Sequence, residues 1–209
     1  MVISYLGGQC FKVSQGDLTL AFNPPSKDSS LKASKFGSDI VLISQNHEDF
    51  NGTENASFGD REPFVISGPG EYEVKGVAVR GFGSETSYGG AKSINTIYSV
   101  SLDGMNLCFL GSLGTSTLPH AAAQELDNID ILFLPIGDQG VLDYEKAHDL
   151  AVQLEPKAIV PMHYGELGDK DSLKAFLKEA GEDVKPIDKL TVKKKDLDGK
   201  EGEIIVLQS

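Results

Sequence analysis

The chain has 209 residues, of which 40% are hydrophobic, and this is enough material for one sizeable core. Its 19 Lys and Arg stand against 31 Asp and Glu, and the net charge of −12 disfavours nucleic acids and anionic membranes as partners. No secretory leader is evident, and no apolar run approaches the roughly 18 residues of a membrane span. The two cysteines form no CxxC pair. We expect one cytoplasmic domain over residues 1–209.

Short apolar runs separated by turns over residues 2–22 predict an antiparallel meander. The glycine-rich segment 81–90 is interpreted as a mobile flap or as a plain flexible loop. The remaining predicted elements are strands at 39–43 and 63–66, hairpins at 72–79 and 95–110, a helix at 119–126, a strand at 129–135, a helix at 143–155, a strand at 158–162, a helix capped by Asp171, and two strands around Asp198-Gly199 in the tail. Strands first, followed by strand–helix–strand units, indicate an α/β fold with a mixed sheet layered by helices.

Polar loops follow three of the predicted buried strands, at 44–51, 111–114 and 163–165. In α/β folds such loops usually carry the chemistry. The first loop places the potential metal ligands His47 and Asp49 one residue apart, but Gln45 and Phe50 stand where a metal cluster would require imidazole. This loop has the pattern of a metal-binding loop from which ligands are missing.

The chain resembles the metallo-β-lactamase fold, and within it the branch of Zn-dependent hydrolases that includes the manganese-dependent ascorbate-6-phosphate lactonases. The resemblance extends over essentially the whole chain, and its most specific segments are 44–51, 68–72, 95–98, 111–114, 130–137 and 161–165. It implies a four-layer αβ/βα sandwich of two mixed β-sheets with helices outside. It also implies a homo-oligomer, because relatives in this branch assemble.

In that family a His-x-His-x-Asp-His loop, a His-x-Gly-Asp motif and a final His after a Pro-Met pair hold two metal ions with a bridging water. By this resemblance the retained ligand positions are His47, Asp49 and His163. The substituted positions are Gln45, Phe50, Phe109 and Ser112. One metal would keep His47 as its only strong ligand, and the other would lose an imidazole and the bridging carboxylate.

We expect that no dinuclear centre forms, since a pair of dications with only one retained carboxylate would be undercompensated in a partly desolvated cleft. Two of the four substitutions replace histidine by phenylalanine. A phenyl ring fills similar space without any donor atom, so Phe50 and Phe109 are expected to fill the former cleft.

Two functional hypotheses follow. In the first, the protein is a non-catalytic binding or assembly scaffold without a cofactor, and its partner is an unknown small molecule or protein. In the second, His47, Asp49 and His163 hold one divalent ion, Zn, Mn or Fe, and the protein hydrolyses a small lactone, ester or phosphoester, with Asp49 as the catalytic candidate. The non-functional interpretation is that these side chains only form hydrogen bonds with their surroundings.

Overall fold

The structure is a computed structural model that describes residues 1–209. Two β-sheets pack face to face, and the largest cluster of buried apolar side chains lies between them. The strands are β1 (Val2–Tyr5), β2 (Phe11–Gln15), β3 (Leu18–Phe22), β4 (Ile40–Leu42), β5 (Phe64–Ile66), β6 (Gly70–Val74), β7 (Val77–Thr86), β8 (Ser93–Leu102), β9 (Met105–Phe109), β10 (Ile131–Pro135), β11 (Ala158–Met162), β12 (Leu190–Thr191) and β13 (Glu203–Ile204).

Both sheets are mixed. The first has the order β12-β1-β2-β3-β4-β5, with antiparallel pairing up to β3 and parallel pairing from β3 to β5. The second has the order β13-β11-β10-β9-β8-β7-β6, parallel from β13 to β9 and antiparallel from there. Runs such as Ile131–Pro135, in which every residue is buried, form the parallel strands because both of their faces are covered.

Three helices cover the outer face of the second sheet: α1 (His120–Glu125), α2 (Tyr144–Leu154) and α3 (Ser172–Glu179). Asp143 caps α2 by accepting a hydrogen bond from the Lys146 amide, as the sequence predicts. Over the first sheet the helical layer is reduced to a 3-10 turn at Thr53–Asn55 and the preceding connector. The α/β sandwich of two mixed sheets is therefore confirmed. None of these helices combines the length and hydropathy needed to span a membrane.

One local prediction is wrong. The segment 81–90 is regular strand as far as Thr86, because β7 pairs with β8 from Ala78 to Thr86 and this pairing supplies the order that the glycines do not. In the tail, the two predicted strands are present but short, as β12 and β13, and a 3-10 helix at Lys194–Leu197 lies between them. These two strands do not pair with each other, since β12 joins β1 and β13 joins β11.

Asp130 holds this tail against the second sheet. Its carboxylate is fully buried and contacts the ammonium groups of Lys157 at 2.8 Å and Lys194 at 2.6 Å, and it accepts from the Asn106 amide at 2.8 Å. Burial alone would raise the pKa of Asp130, but these hydrogen bonds outweigh it and hold the pKa below its usual value.

We expect Asp130→Asn to lower the free energy of unfolding at neutral pH by about 1.5 to 3 kcal/mol, the typical contribution of hydrogen bonds to a charged group. A carboxylate whose pKa is lower in the folded state than in the unfolded state stabilises the fold at pH values above its unfolded pKa. The difference in unfolding free energy between wild type and Asp130→Asn should therefore shrink as the pH falls below about 4. Urea unfolding at several pH values measures this, with the exposed Asp17→Asn as control. Equal unfolding free energies for wild type and Asp130→Asn at pH 7 would contradict it.

Candidate functional site

Three loops meet at one edge of the sandwich, after β4, β9 and β11. Hydrogen bonds between sheets and loops fix them there. From β8, the Tyr98 hydroxyl lies 2.8 Å from the Ile43 carbonyl, and the Thr96 amide donates to the Ser44 carbonyl at 2.7 Å. After β11, the His163 amide donates to the Gly8 carbonyl at 2.8 Å. The polar residues that the sequence analysis singled out in these loops are thus held on a rigid frame.

Asp49 is a nearly buried carboxylate, 7% exposed, with no Lys or Arg beside it. Its Oδ2 accepts a hydrogen bond from the Tyr88 hydroxyl at 2.6 Å, and its Oδ1 accepts one from the Ser29 hydroxyl. Burial, and after it the bond to Asp49, raises the pKa of Tyr88 far above its usual value, so the phenol keeps its proton and donates. Both carboxylate oxygens are therefore occupied by hydroxyl donors.

The Tyr88 ring lies within the cluster of retained and substituted ligand positions. Its centroid is 4.9 Å from that of His47, 5.0 Å from that of Phe50 and 4.9 Å from that of His163. Phe50 in turn lies 5.8 Å from His47 and 6.3 Å from His163. The space among these loops is packed with aromatic rings.

His47 is the most accessible member of the cluster, with 26% of its side chain exposed at the edge of a polar basin of about 610 Å³. The backbone amide of Asp49 donates a hydrogen bond to His47 Nδ1 at 3.2 Å. In the neutral imidazole the proton therefore lies on Nε2. Nδ1 also lies 3.3 Å from Asp49 Oδ2, but without a proton on Nδ1 this contact is not a hydrogen bond. Gly89, with φ +83°, packs so closely that a Cβ there would lie 2.9 Å from His47 Nε2.

Gln45 and Ser112, two of the substituted positions, bond to each other. The Ser112 hydroxyl donates to Gln45 Oε1 at 2.6 Å, and Gln45 Nε2 donates to the Ser93 hydroxyl at 2.8 Å and the Tyr88 carbonyl at 3.0 Å. The Gln45 amide thereby anchors the turn that carries Tyr88. Its oxygen and its nitrogen are both engaged.

His163 is fully buried and adopts φ +58°, a left-handed conformation that non-glycine residues rarely take. Gln9 Nε2 lies 2.7 Å from its Nδ1, whereas its Nε2 has no hydrogen-bonding partner in the protein. Burial lowers the pKa of His163 to about 3, although the Asp49 charge opposes this shift. The imidazole is therefore neutral at physiological pH.

Phe109 lies outside this cluster, which corrects the expectation that it fills the cleft together with Phe50. Its ring packs in the core between the sheets, 5.0 Å from Phe22 and 5.9 Å from Phe133. Because β9 side chains alternate between the two faces of the sheet, this position points into the sandwich. Tyr88 occupies the place among the site residues that had been expected for Phe109.

Sequence reasoning missed Tyr88, Gln9, Asn23 and Ser29. Tyr88 is the only aromatic residue between Phe82 and Tyr98, and such an isolated ring in a glycine-rich turn is a signal that could have indicated burial. The other three are small polar residues in loops, and nothing in their local pattern separates them from surface residues.

No three His, Cys, Asp or Glu side chains converge closely enough to hold a metal ion. His47 and Asp49 lie together, and the rings of Tyr88 and Phe50 contact both His47 and His163. The other two histidines of the chain, His120 and His148, lie on α1 and α2.

Residues 2–163 match the β-lactamase superfamily domain. The chain belongs to the metallo-β-lactamase superfamily. A superfamily member from Thermotoga maritima, described as a Zn-dependent hydrolase, is 27% identical, with a TM-score of 0.78 over 99% of this chain and 97% of that one. A metal-dependent hydrolase of Natranaerobius thermophilus is 26% identical over 78% of this chain and 83% of its own length, and one from Listeria innocua is 28% identical over 78% and 85%. Within the superfamily, this chain thus falls among relatives named as metal-dependent hydrolases.

Tyr88→Phe removes only the hydroxyl that compensates Asp49. We expect it to lower the free energy of unfolding by about 1.5 to 3 kcal/mol, because a buried carboxylate loses a charge-assisted hydrogen bond. Tyr72→Phe is the matched control, since the Tyr72 hydroxyl lies near only neutral carbonyl groups, 3.1 Å from that of Gly68. Urea unfolding measures both variants. If Tyr88→Phe lowers the free energy of unfolding no more than Tyr72→Phe does, the Tyr88 hydroxyl does not stabilise the Asp49 carboxylate.

The low pKa of His163 has a predictable effect on stability. Between pH 6.5 and about 3 the unfolded chain binds a proton that the folded chain does not, so this group lowers stability by up to about 1.4 kcal/mol per unit of falling pH. His163→Asn, which tolerates the left-handed backbone, should flatten the decline between pH 6.5 and 4 relative to wild type and the exposed His120→Asn. Parallel stability profiles for all three proteins would refute a neutral, buried His163.

Proposed function

We propose that this chain is a metal-independent member of its superfamily that uses the sandwich as a scaffold to bind a small molecule or another protein. The observation that supports this most strongly is the Tyr88 ring, which lies among His47, Phe50 and His163 while its hydroxyl is bonded to Asp49. A bound metal would need the carboxylate and imidazole atoms that this side chain covers.

The donor atoms around Tyr88 do not fit a dinuclear centre. The amide of Gln45 and the hydroxyl of Ser112 bond to each other, and neither carries a charge. Phe50 and Phe109 have no donor atoms, and Phe109 lies in the core. Asp49 is the only carboxylate at the seven family positions, and both of its oxygens accept from hydroxyls. These contacts replace each missing ligand by a hydrogen bond or an apolar contact.

Surface clefts remain that a ligand can enter without displacing Tyr88. The polar basin beside His47 is one. Another, of about 560 Å³, lies between α2, α3 and β13, with Phe176 and Ile159 on its floor and Glu155 and Glu201 among its polar residues. Both are in the size range of small-molecule sites, which supports a binding role. A homo-oligomer remains part of this proposal.

A mononuclear hydrolase is the second candidate. Its support is the backbone of His163, since a strained left-handed conformation at a buried residue with an unpartnered Nε2 is a feature typical of functional sites. In this alternative one divalent ion would be held by His47, Asp49 and His163, and Tyr88 would have to leave the cluster first. The hydroxyl donors now on Asp49 weigh against it.

Metal analysis separates the two candidates. Protein purified without chelator should contain far less than one equivalent of Zn, Mn or Fe, and its melting temperature should not change with millimolar divalent ions. A ligand at 100 times its Kd would add about 2.7 kcal/mol, which raises the melting temperature of a domain of this size by roughly 5 to 10 °C.

Asp49→Asn is the matched variant for this experiment. A thermal shift that appears in wild type and disappears in Asp49→Asn would establish a metal site and overturn the proposal. Near-stoichiometric metal in the purified protein would overturn it equally.

A further inference from the structure

A chain of buried amides leads from the backbone to His163. The Ser44 amide donates to Asn23 Oδ1 at 2.8 Å, and Asn23 Nδ2 donates to Gln9 Oε1 at 2.8 Å. Gln9 Nε2 then lies 2.7 Å from His163 Nδ1. Gln9, Asn23 and His163 are all fully buried, so water does not compete for these contacts.

The direction of this chain is fixed at its first step, because a backbone N–H can only donate. Rotating the Asn23 amide would turn its NH₂ group toward the Ser44 N–H, and rotating the Gln9 amide alone would turn two NH₂ groups toward each other. Either change would place donor against donor in a buried site. Gln9 therefore presents its NH₂ group to His163.

A neutral imidazole has one N–H, and the nitrogen that accepts a hydrogen bond does not carry it. With Nδ1 accepting from Gln9, the proton of His163 lies on Nε2. This is the buried nitrogen without a partner, and a ring nitrogen that carries a proton has no lone pair for a metal.

We infer that Gln9 is a positioning residue that holds His163 in the Nε2–H tautomer and so turns a metal-ligand position into a hydrogen-bond donor. Metal-binding histidines usually donate their second N–H to a carboxylate or carbonyl, and Gln9 makes the opposite contact. The inference rests on the proposed metal-independent function but names a different cause for it. Removing the Tyr88 side chain would open the space beside His163, yet Nε2 of His163 would still carry a proton and would offer no lone pair to a metal.

Nitrogen-15 NMR of the histidine side chains in wild-type protein tests the tautomer directly. The expected spectrum shows His163 with a protonated Nε2 and an unprotonated Nδ1, assigned by comparison with His163→Asn. In Gln9→Glu, whose carboxylate accepts from Nδ1–H, the pattern should invert. A protonated Nδ1 in wild type, or the same tautomer in both proteins, would overturn the inference.

Zinc titration of four proteins then tests the consequence: wild type, Tyr88→Ala, Gln9→Glu/Tyr88→Ala and Gln124→Glu/Tyr88→Ala. The Gln124 substitution adds a charge on the exposed face of α1 and is the control. We expect Gln9→Glu/Tyr88→Ala to bind zinc on the order of 10- to 100-fold more tightly than either other Tyr88→Ala protein, in line with the effect of such partners on metal affinity.

A rise in melting temperature of Tyr88→Ala with phenol shows that this variant is folded and that its cavity is open. If Tyr88→Ala binds zinc as tightly as the Gln9→Glu/Tyr88→Ala protein, the inference about Gln9 fails while the proposed function stands. If wild type itself binds zinc, the proposed function fails, and the NMR result still decides the tautomer.

Discussion

A nearly buried carboxylate without a Lys or Arg beside it is the constraint on which the site depends. Taking an ionised carboxylate out of water is costly unless its oxygens are hydrogen-bonded. Hydrogen-bond donors can supply this compensation. Here the hydroxyls of Tyr88 and Ser29 supply it for Asp49, and the turn that carries Tyr88 is held by Gln45 and packed against His47 through Gly89. The conformation of the turn and the hydrogen bonding of Asp49 therefore depend on each other.

The substitutions form a connected set. Gln45 and Ser112 bond to each other, Gln45 anchors Tyr88, and Phe50 packs against the Tyr88 ring. Gln9 adds a further element on the other side of the cluster, where it bonds to His163. In the metal-independent function that we propose, each residue removes one requirement of metal binding, whether charge, lone pair or space, and also supplies a contact within the fold. This mutual dependence explains why the site is well packed although four family ligands are absent.

Much of the fold could be predicted from the sequence, because alternating and continuous apolar runs indicate strands directly. The meander of β1 to β3, the hairpin turn at Asp103-Gly104 and the cap of α2 at Asp143 are examples. Local sequence patterns are insufficient where tertiary pairing decides the structure. Glycines in β7 are ordered by β8, and the tail is ordered by Asp130 and by two different sheets.

At the site, the sequence indicated which loops meet but not what fills the space between them. Family spacing led to Phe50 and Phe109, yet strand alternation directs Phe109 into the core. Tyr88 comes from a glycine-rich turn in which its isolated ring is the only signal of burial. The tautomer of His163 could not be read from the sequence at all. We infer it from Gln9, which contacts His163 from a distant part of the chain, and from Asn23, which orients the Gln9 amide.

The most direct test of the central claim is a crystal structure from crystals soaked in millimolar zinc or manganese, with diffraction data collected at the absorption edge of the metal. The expected result is an ordered Tyr88 ring among His47, Phe50 and His163, its hydroxyl bonded to Asp49, and no anomalous peak in the cluster. An anomalous peak coordinated by His47, Asp49 or His163, with Tyr88 displaced, would contradict the account.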